Sequence, residues 1–327
     1  MNSLAVWYDG DIKNNAKIDL HINVCSIKEY NEYIEFGVLL NNYNKTYGNF
    51  NLSVPFIINE DDFEDLSQKL YDSTLISALF NETLSTEDKN KYFTVKQGTS
   101  IKFRILCLKQ DNDIEFNKES NHTKIKIKIS DGIFNEEKTN TDIYMRFRIN
   151  KIGKIFQTIA TNIILLDGYK EEKNIFEINV NMKRKLPAEI SQNLKSKLHI
   201  GMINVFFMSD YNTDIIFESQ DRKSARVLEN HIWDKYIGYK DLEIEKVVAY
   251  QWKSDSEVKN VQDFNIFVKT LIRNNKKYYL LKVFSFIVII GALGGILGNA
   301  ITTKCFNSFA PSTICDFNDK NNTKKEK

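Results

Sequence analysis

Proline is scarce in this chain, three residues in 327. With no low-complexity stretch and no internal repeat either, the sequence offers no obvious linker. Cysteine is scarce too. Four cysteines are too few for a disulfide scaffold, and neither they nor the four histidines, His21, His122, His199 and His231, fall at zinc-ligand or triad spacing. No glycine-rich phosphate loop, nucleophile elbow or HExxH motif occurs, so the sequence assigns no catalytic residue, no metal ligand and no cofactor. No block of like charge is long enough to be a nucleic-acid arm, and a net charge of +2 selects no partner. The opening residues, MNSLAVWYDGD, contain neither a basic nor an apolar leader segment, so no secretory signal is expected.

What the sequence does contain is one apolar run near its end. Val283 to Ile301 holds 19 residues without a charge, and as a helix it would be roughly 28 Å long, close to the thickness of a bilayer core. Lys269, Arg273, Lys276, Lys277 and Lys282 crowd its N-terminal side, whereas the next fifteen residues contain only Lys304. This bias predicts a single-pass membrane protein with its large N-terminal part in the cytoplasm and residues 302–327 as a short external tail. Tyr278 and Tyr279 suit the inner headgroup level, and Phe306 and Phe309 the outer one. An external tail would also permit a Cys305–Cys315 disulfide. Gly291 and Gly295, then Gly294 and Gly298, are GxxxG pairs, and Asn299 extends the first series. Small residues four apart allow close helix approach, and an amide in lipid gains from a partner helix, so the expected partners are membrane lipid and a second copy or another membrane protein.

The residues before the span have the composition of a folded protein, 42% hydrophobic and 27% charged over the whole chain. Alternation with a period of two recurs through residues 1–185, as at Ile18, Leu20, Ile22 and Val24, and predicts half-buried strands. One helix is expected at Asp61 to Phe80, from the spacing of Phe63, Leu66 and Leu70 behind an acidic first turn. Residues 186–257 read as an α+β continuation: a helix after Pro187, strands at Leu198–Met208, Asp214–Phe217 and Leu242–Trp252, and a helix at Asp221–Tyr236. Val261, Phe264, Val268 and Leu271 predict an amphipathic juxtamembrane helix over 258–282, leading into the span at 283–301. The fold class is thus α+β, a mainly antiparallel β region with a few helices, followed by one C-terminal transmembrane helix.

One set of basic residues has strand spacing. Lys102 and Arg104 alternate with Ile101, Phe103, Ile105 and Cys107; Lys124, Lys126 and Lys128 alternate with isoleucines; Arg146 and Arg148 alternate with Met145, Phe147 and Ile149. A hairpin closed by residues 131–141 would set Lys126 opposite Arg146 and Lys124 opposite Arg148. Like charges so placed repel unless an anion or carboxylate offsets them, and Glu177 is one acid available to do so. These seven residues are therefore an anion-binding candidate, for an anionic small molecule or nucleotide, an acidic partner or headgroups. Nucleic acid is disfavoured because no aromatic platform stands beside them. If they form such a site, replacing Lys126 and Arg146 together by Gln should spare stability and weaken anion binding.

Three function classes follow. The leading one is a membrane-anchored protein whose β-rich domain binds or senses an anionic ligand or partner and associates through its span. The alternative is an effector, of toxin or antiviral-defence type, whose glycine-rich helices disrupt the bilayer or form a pore. A membrane-tethered enzyme ranks last: Asp214 and Glu218, with Gln220, Arg222 and Lys223, offer carboxylates near a strand end, but their spacing fits no magnesium site.

Overall fold

A computed structural model describes residues 3–9, 17–27, 32–43, 49–88, 92–119, 121–129, 141–150, 152, 157–164, 169–194, 198–238, 247–255, 260–275 and 279–309. The chain runs β1 (Ala5–Asp9), β2 (Lys17–Ser26), β3 (Tyr33–Tyr43), β4 (Asn49–Val54), β5 (Phe63–Asp65), α1 (Ser73–Phe80), β6 (Ser85–Asp88), β7 (Tyr92–Gln97) and β8 (Ser100–Leu106). It continues with α2 (Gln110–Asp113), β9 (Ile114–Glu119), β10 (His122–Ile127), β11 (Thr141–Asn150), β12 (Gln157–Ile164), β13 (Tyr169–Val180) and α3 (Ala188–Asn193). Last come β14 (His199–Asp210), β15 (Thr213–Glu218), β16 (Ser224–Val227), α4 (Asn230–Ile237), β17 (Val247–Lys253), β18 (Phe264–Asn275) and α5 (Tyr279–Phe309).

The strands form three sheets. The largest has the order β16-β17-β14-β2-β3-β11-β8-β7-β6, with β5 also on β11; the others are β1-β4-β10-β9 and β12-β13-β18-β15. Most pairings are antiparallel, but β14 with β2 and β11 with β8 are parallel, so the central sheet is mixed. Alternation assigns its two faces. Ile18, Leu20, Ile22 and Val24 of β2, with Ile34, Phe36 and Val38 of β3, enter one apolar core together with residues of the two smaller sheets. Cys25, Tyr33, Phe103, Tyr144 and Met208 face the other way, into a second core covered by α1 and α4. Of the polar residues of β2 and β3 that alternate with the first set, Asn23 and Glu35 are buried on that same face.

Several segments depart from the sequence reading, and each departure has a local cause. Asp61–Phe80 is not one helix. Phe63 joins a strand pairing with β11, Asp65 accepts hydrogen bonds from Ser67 N and Oγ to make a turn, and the helix starts only at Ser73. Asp72 caps it by accepting from Thr74 N and Leu75 N, and Asn81 ends it in the left-handed region. Asp221–Tyr236 divides into β16 and α4, because Ser224–Val227 pairs with β17. The expected helix over 258–282 is instead β18 for Phe264–Asn275. Phe264, Ile266, Val268 and Thr270 are buried at a period of two, and Val268, Thr270, Leu271 and Ile272 pair with β15, so strand pairing overrides the weaker helical spacing. Two of the expected strands, Leu198–Met208 and Asp214–Phe217, are present as β14 and β15.

The chain divides into two compact units. One comprises Met1–Asn162 with Glu171–Arg273, and the other Ile163–Lys170 with Asn274–Lys327. Within the second, Leu281–Lys304 of α5 is long and apolar enough to cross a membrane, and none of its most apolar window is buried. Its 24 residues span about 36 Å, more than the roughly 30 Å of a hydrocarbon core. Phe284, Ile287, Val288 and Ile289 are more than half exposed.

Candidate functional site

The helix-bearing face of the central sheet carries rows of polar residues that run across the strands. Arg146 on β11 lies opposite Gly37 on β3, Gly37 opposite His21 on β2, His21 opposite Asn204 on β14, and Asn204 opposite Lys253 on β17. Directly opposed residues share a face, so this is one row across five strands, about 19 Å wide at ordinary strand spacing. A second row beside it runs Arg148, Glu35, Asn23, Phe206 and Gln251.

At one end the rows form a buried ionic network. Glu35 is fully buried and Arg146 is 1% exposed. Arg146 Nη2 donates to Glu35 Oε2 at 2.6 Å, and Arg148 donates to Glu35 Oε1 from Nε at 3.1 Å and from Nη2 at 2.9 Å. Tyr236 Oη on α4 accepts from Arg146 Nε and donates to Glu35 Oε2 at 2.7 Å. Arg148 also caps the end of α4, donating to the carbonyls of Tyr236 and Ile237 at 3.0 and 3.3 Å, groups that a helix cannot satisfy internally. Burial alone would push the Glu35 carboxyl up, but the two guanidiniums and the Tyr236 hydroxyl overcome it and hold the carboxyl below its usual range. Gly37 makes the space: a Cβ there would stand 2.3 Å from Tyr144 Oη and 3.1 Å from Arg146 Nη1.

At the other end the rows floor a cleft of about 610 Å³. Asp19, His21, Asn204, Gln251 and Lys253 come from the sheet, Leu79 and Phe80 from α1, and Glu82, Lys102, Asp142 and Arg226 complete its charges. Lys102 is ion-paired with Glu82, and the Arg226 guanidinium lies 5.5 Å from the Trp233 ring centroid. Asn204 Oδ1 accepts from Gln251 Nε2 at 3.3 Å, and Asp19 Oδ2 from Asn41 Nδ2 at 3.3 Å. Asp19 Oδ1 is buried with no hydrogen-bond partner among the described residues. Burial, reinforced by Asp142, raises the Asp19 carboxyl above its usual range against the pull of Asn41, Lys17 and Lys253. Burial and then the charges of Arg146 and Lys253 push His21 down to about 3, so it stays a neutral imidazole between Phe80 and Tyr144. A second hollow of about 820 Å³ is lined by Lys183, Arg184, His199, Asn260 and Asp263, from turns and strand ends.

His21 should make the body acid-sensitive. Its folded pKa lies below the unfolded value near 6.5, so between about pH 3 and 6.5 only the unfolded chain takes up the proton and stability rises with pH, by at most about 1.4 kcal/mol per unit. Urea midpoints of wild type and His21→Gln across that window should converge as pH falls, and parallel curves would contradict the assignment.

The seven basic residues singled out from the sequence do not meet in one place. β10 pairs with β4 and β9, while β11 pairs with β3, β5 and β8, so the expected hairpin does not form. Alternation defines a strand's faces but not its partner. Lys124 lies over the Trp7 ring at 5.2 Å, Lys126 is 3.7 Å from Asp9, and Lys128 pairs with Glu115. Arg104 is buried, 5.0 Å from the Tyr92 ring centroid, and Ile101 is exposed rather than inward. Of the seven, only Lys102 lines the cleft. Glu177 pairs with Lys185 at 2.6 Å. Glu218 holds Arg222 at 3.0 Å and accepts from Trp252 Nε1, and among the described residues no His, Cys, Asp and Glu group could hold a metal. A Cβ added at Gly291, Gly294, Gly295 or Gly298 would meet nothing within 4 Å, which leaves that face of α5 open. The Cys305 side chain and all of Cys315 lie outside the described residues.

No protein-family model matches the chain, and no curated protein sequence matches it either.

Proposed function

We propose that this is a single-pass membrane-anchored binding protein, with α5 as the anchor and the cleft on the central sheet as the ligand site. The observation that carries the reading is the buried Asp19 Oδ1, without a hydrogen-bond partner among the described residues, on a residue that lines the cleft with Asn204, Gln251 and Lys253. A concave site with a few convergent polar groups and perturbed titrating residues is where a small ligand is expected. Lys253 suits an anionic group, Asp19 Oδ1 asks for a donor, the amides of Asn204 and Gln251 suit a polar edge, and Phe80 and Phe206 offer apolar surface. A small molecule joining an anionic group to a donor-bearing ring, as a nucleotide does, fits this arrangement. The basic flank of α5 favours a cytoplasmic body, and its open glycine face favours pairing with another span.

Native mass spectrometry of the full chain released from detergent tests the site. Wild type should carry a small adduct that is absent from the double variant Asp19→Leu, Lys253→Met. An identical adduct on both proteins would place the ligand elsewhere. The effector reading makes a different prediction: dye release from vesicles that requires α5, with or without a ligand.

A further inference from the structure

We infer that the turn and strand Tyr211–Glu218 form a seat for the headgroup layer of an anionic bilayer, an inference that rests on the anchor reading of α5. Tyr211, Ile216 and Phe217 are 56%, 45% and 51% exposed, three large apolar side chains within one turn and the short strand that follows it. β15 is an edge strand, and its register against β18 shifts between Ile215 and Phe217, which pair with Thr270 and Lys269. Ile216 is the extra residue of a bulge. Strict alternation would turn one of two consecutive residues inward, whereas the bulge leaves both Ile216 and Phe217 at the surface. The same bulge interrupts the ladder and so opposes a second copy adding to this edge.

The chain links this strand, through its partner β18, to the span. Thr213 pairs with Ile272, and the seven residues from there to Tyr279, where α5 begins, reach at most about 24 Å. The chemistry suits a charged interface. Lys269 Nζ lies 6.0 Å from the Phe217 ring centroid, and Phe267 packs edge-on against the same ring at 5.9 Å. The sequence continues with Arg273, Lys276, Lys277 and Lys282. Asp214 and Glu218 are the acids of the strand, and Glu218 is tied to Arg222. Aromatic rings gather at the headgroup level, and cations beside them gain from anionic lipid.

The test uses the full chain in nanodiscs of phosphatidylcholine with phosphatidylserine, with the photo-crosslinker p-benzoylphenylalanine placed at position 217 or, as an exposed control, at position 57. Position 217 should give a lipid adduct severalfold above the control, and Lys269→Gln should lower it roughly fivefold. Equal lipid adducts at the two positions, or a crosslink to a second copy, with α5 still resistant to alkaline extraction, would overturn the seat alone. Release of the chain by alkaline extraction would overturn the anchor reading and the seat together.

Discussion

Replacing Glu35 by Gln should destabilise the β body by about 3–5 kcal/mol, because it leaves the buried Arg146 guanidinium without a carboxylate and Arg148 with only Glu64, 3.6 Å away. Arg146 and Arg148 both donate to Glu35, and neither has solvent to turn to. The loss should be read by urea unfolding, followed through Trp233, whose ring packs at 5.7 Å against Tyr236. Replacing all three charges by apolar residues (Glu35→Leu, Arg146→Met, Arg148→Met) should recover most of it, since the cost lies in the unpaired charge rather than in the lost contacts. Recovery should be incomplete, because Arg148 also caps the Tyr236 and Ile237 carbonyls. A Glu35→Gln protein as stable as wild type would mean the guanidiniums are compensated by something other than Glu35. This geometry also reverses the expectation for the Lys126 and Arg146 pair: Arg146→Gln alone should be costly.

The second large effect concerns α5. Ile289 and Gly294 lie in the middle of its apolar stretch, where each arginine costs about 2.5–3.5 kcal/mol in membrane insertion. The double variant Ile289→Arg, Gly294→Arg should therefore move the chain from the alkali-resistant membrane fraction to the extractable one. A single Thr302→Arg, near the end of the span, should leave it in place, since a long side chain there reaches the interface. Unchanged membrane retention in the double variant would mean that α5 is not the anchor.

Legibility in the sequence followed the range of the interactions involved. The long apolar helix was legible because its length and apolar run are properties of its own residues, and β2 because Ile18, Leu20, Ile22 and Val24 alternate strictly. β18 was not, since Val261, Phe264, Val268 and Leu271 satisfy a helical spacing while Phe264, Ile266, Val268 and Thr270 satisfy a strand's. Only its pairing with β13 and β15 decides between them. The site was the least legible part. Arg146, His21, Asn204 and Lys253 belong to four strands spread along the chain, and their row exists only once five strands are in register. Alternation did identify Arg146 and Arg148 as facing away from the apolar core. Nothing local shows that Glu35 waits on the neighbouring strand or that α4 closes over them. The one sign was the polar side of β2, Asp19, His21 and Asn23, a set that reads equally well as an ordinary wet face.

Protease protection tests most directly whether a β body is held at one face of a membrane by a single span. In sealed vesicles with the cytoplasmic face inward, external protease should remove a tag placed after Lys327 and leave the body from Ser3 to Asn275 intact. Digestion of the body with the tag preserved would reverse the orientation, and loss or survival of both together would contradict a single crossing.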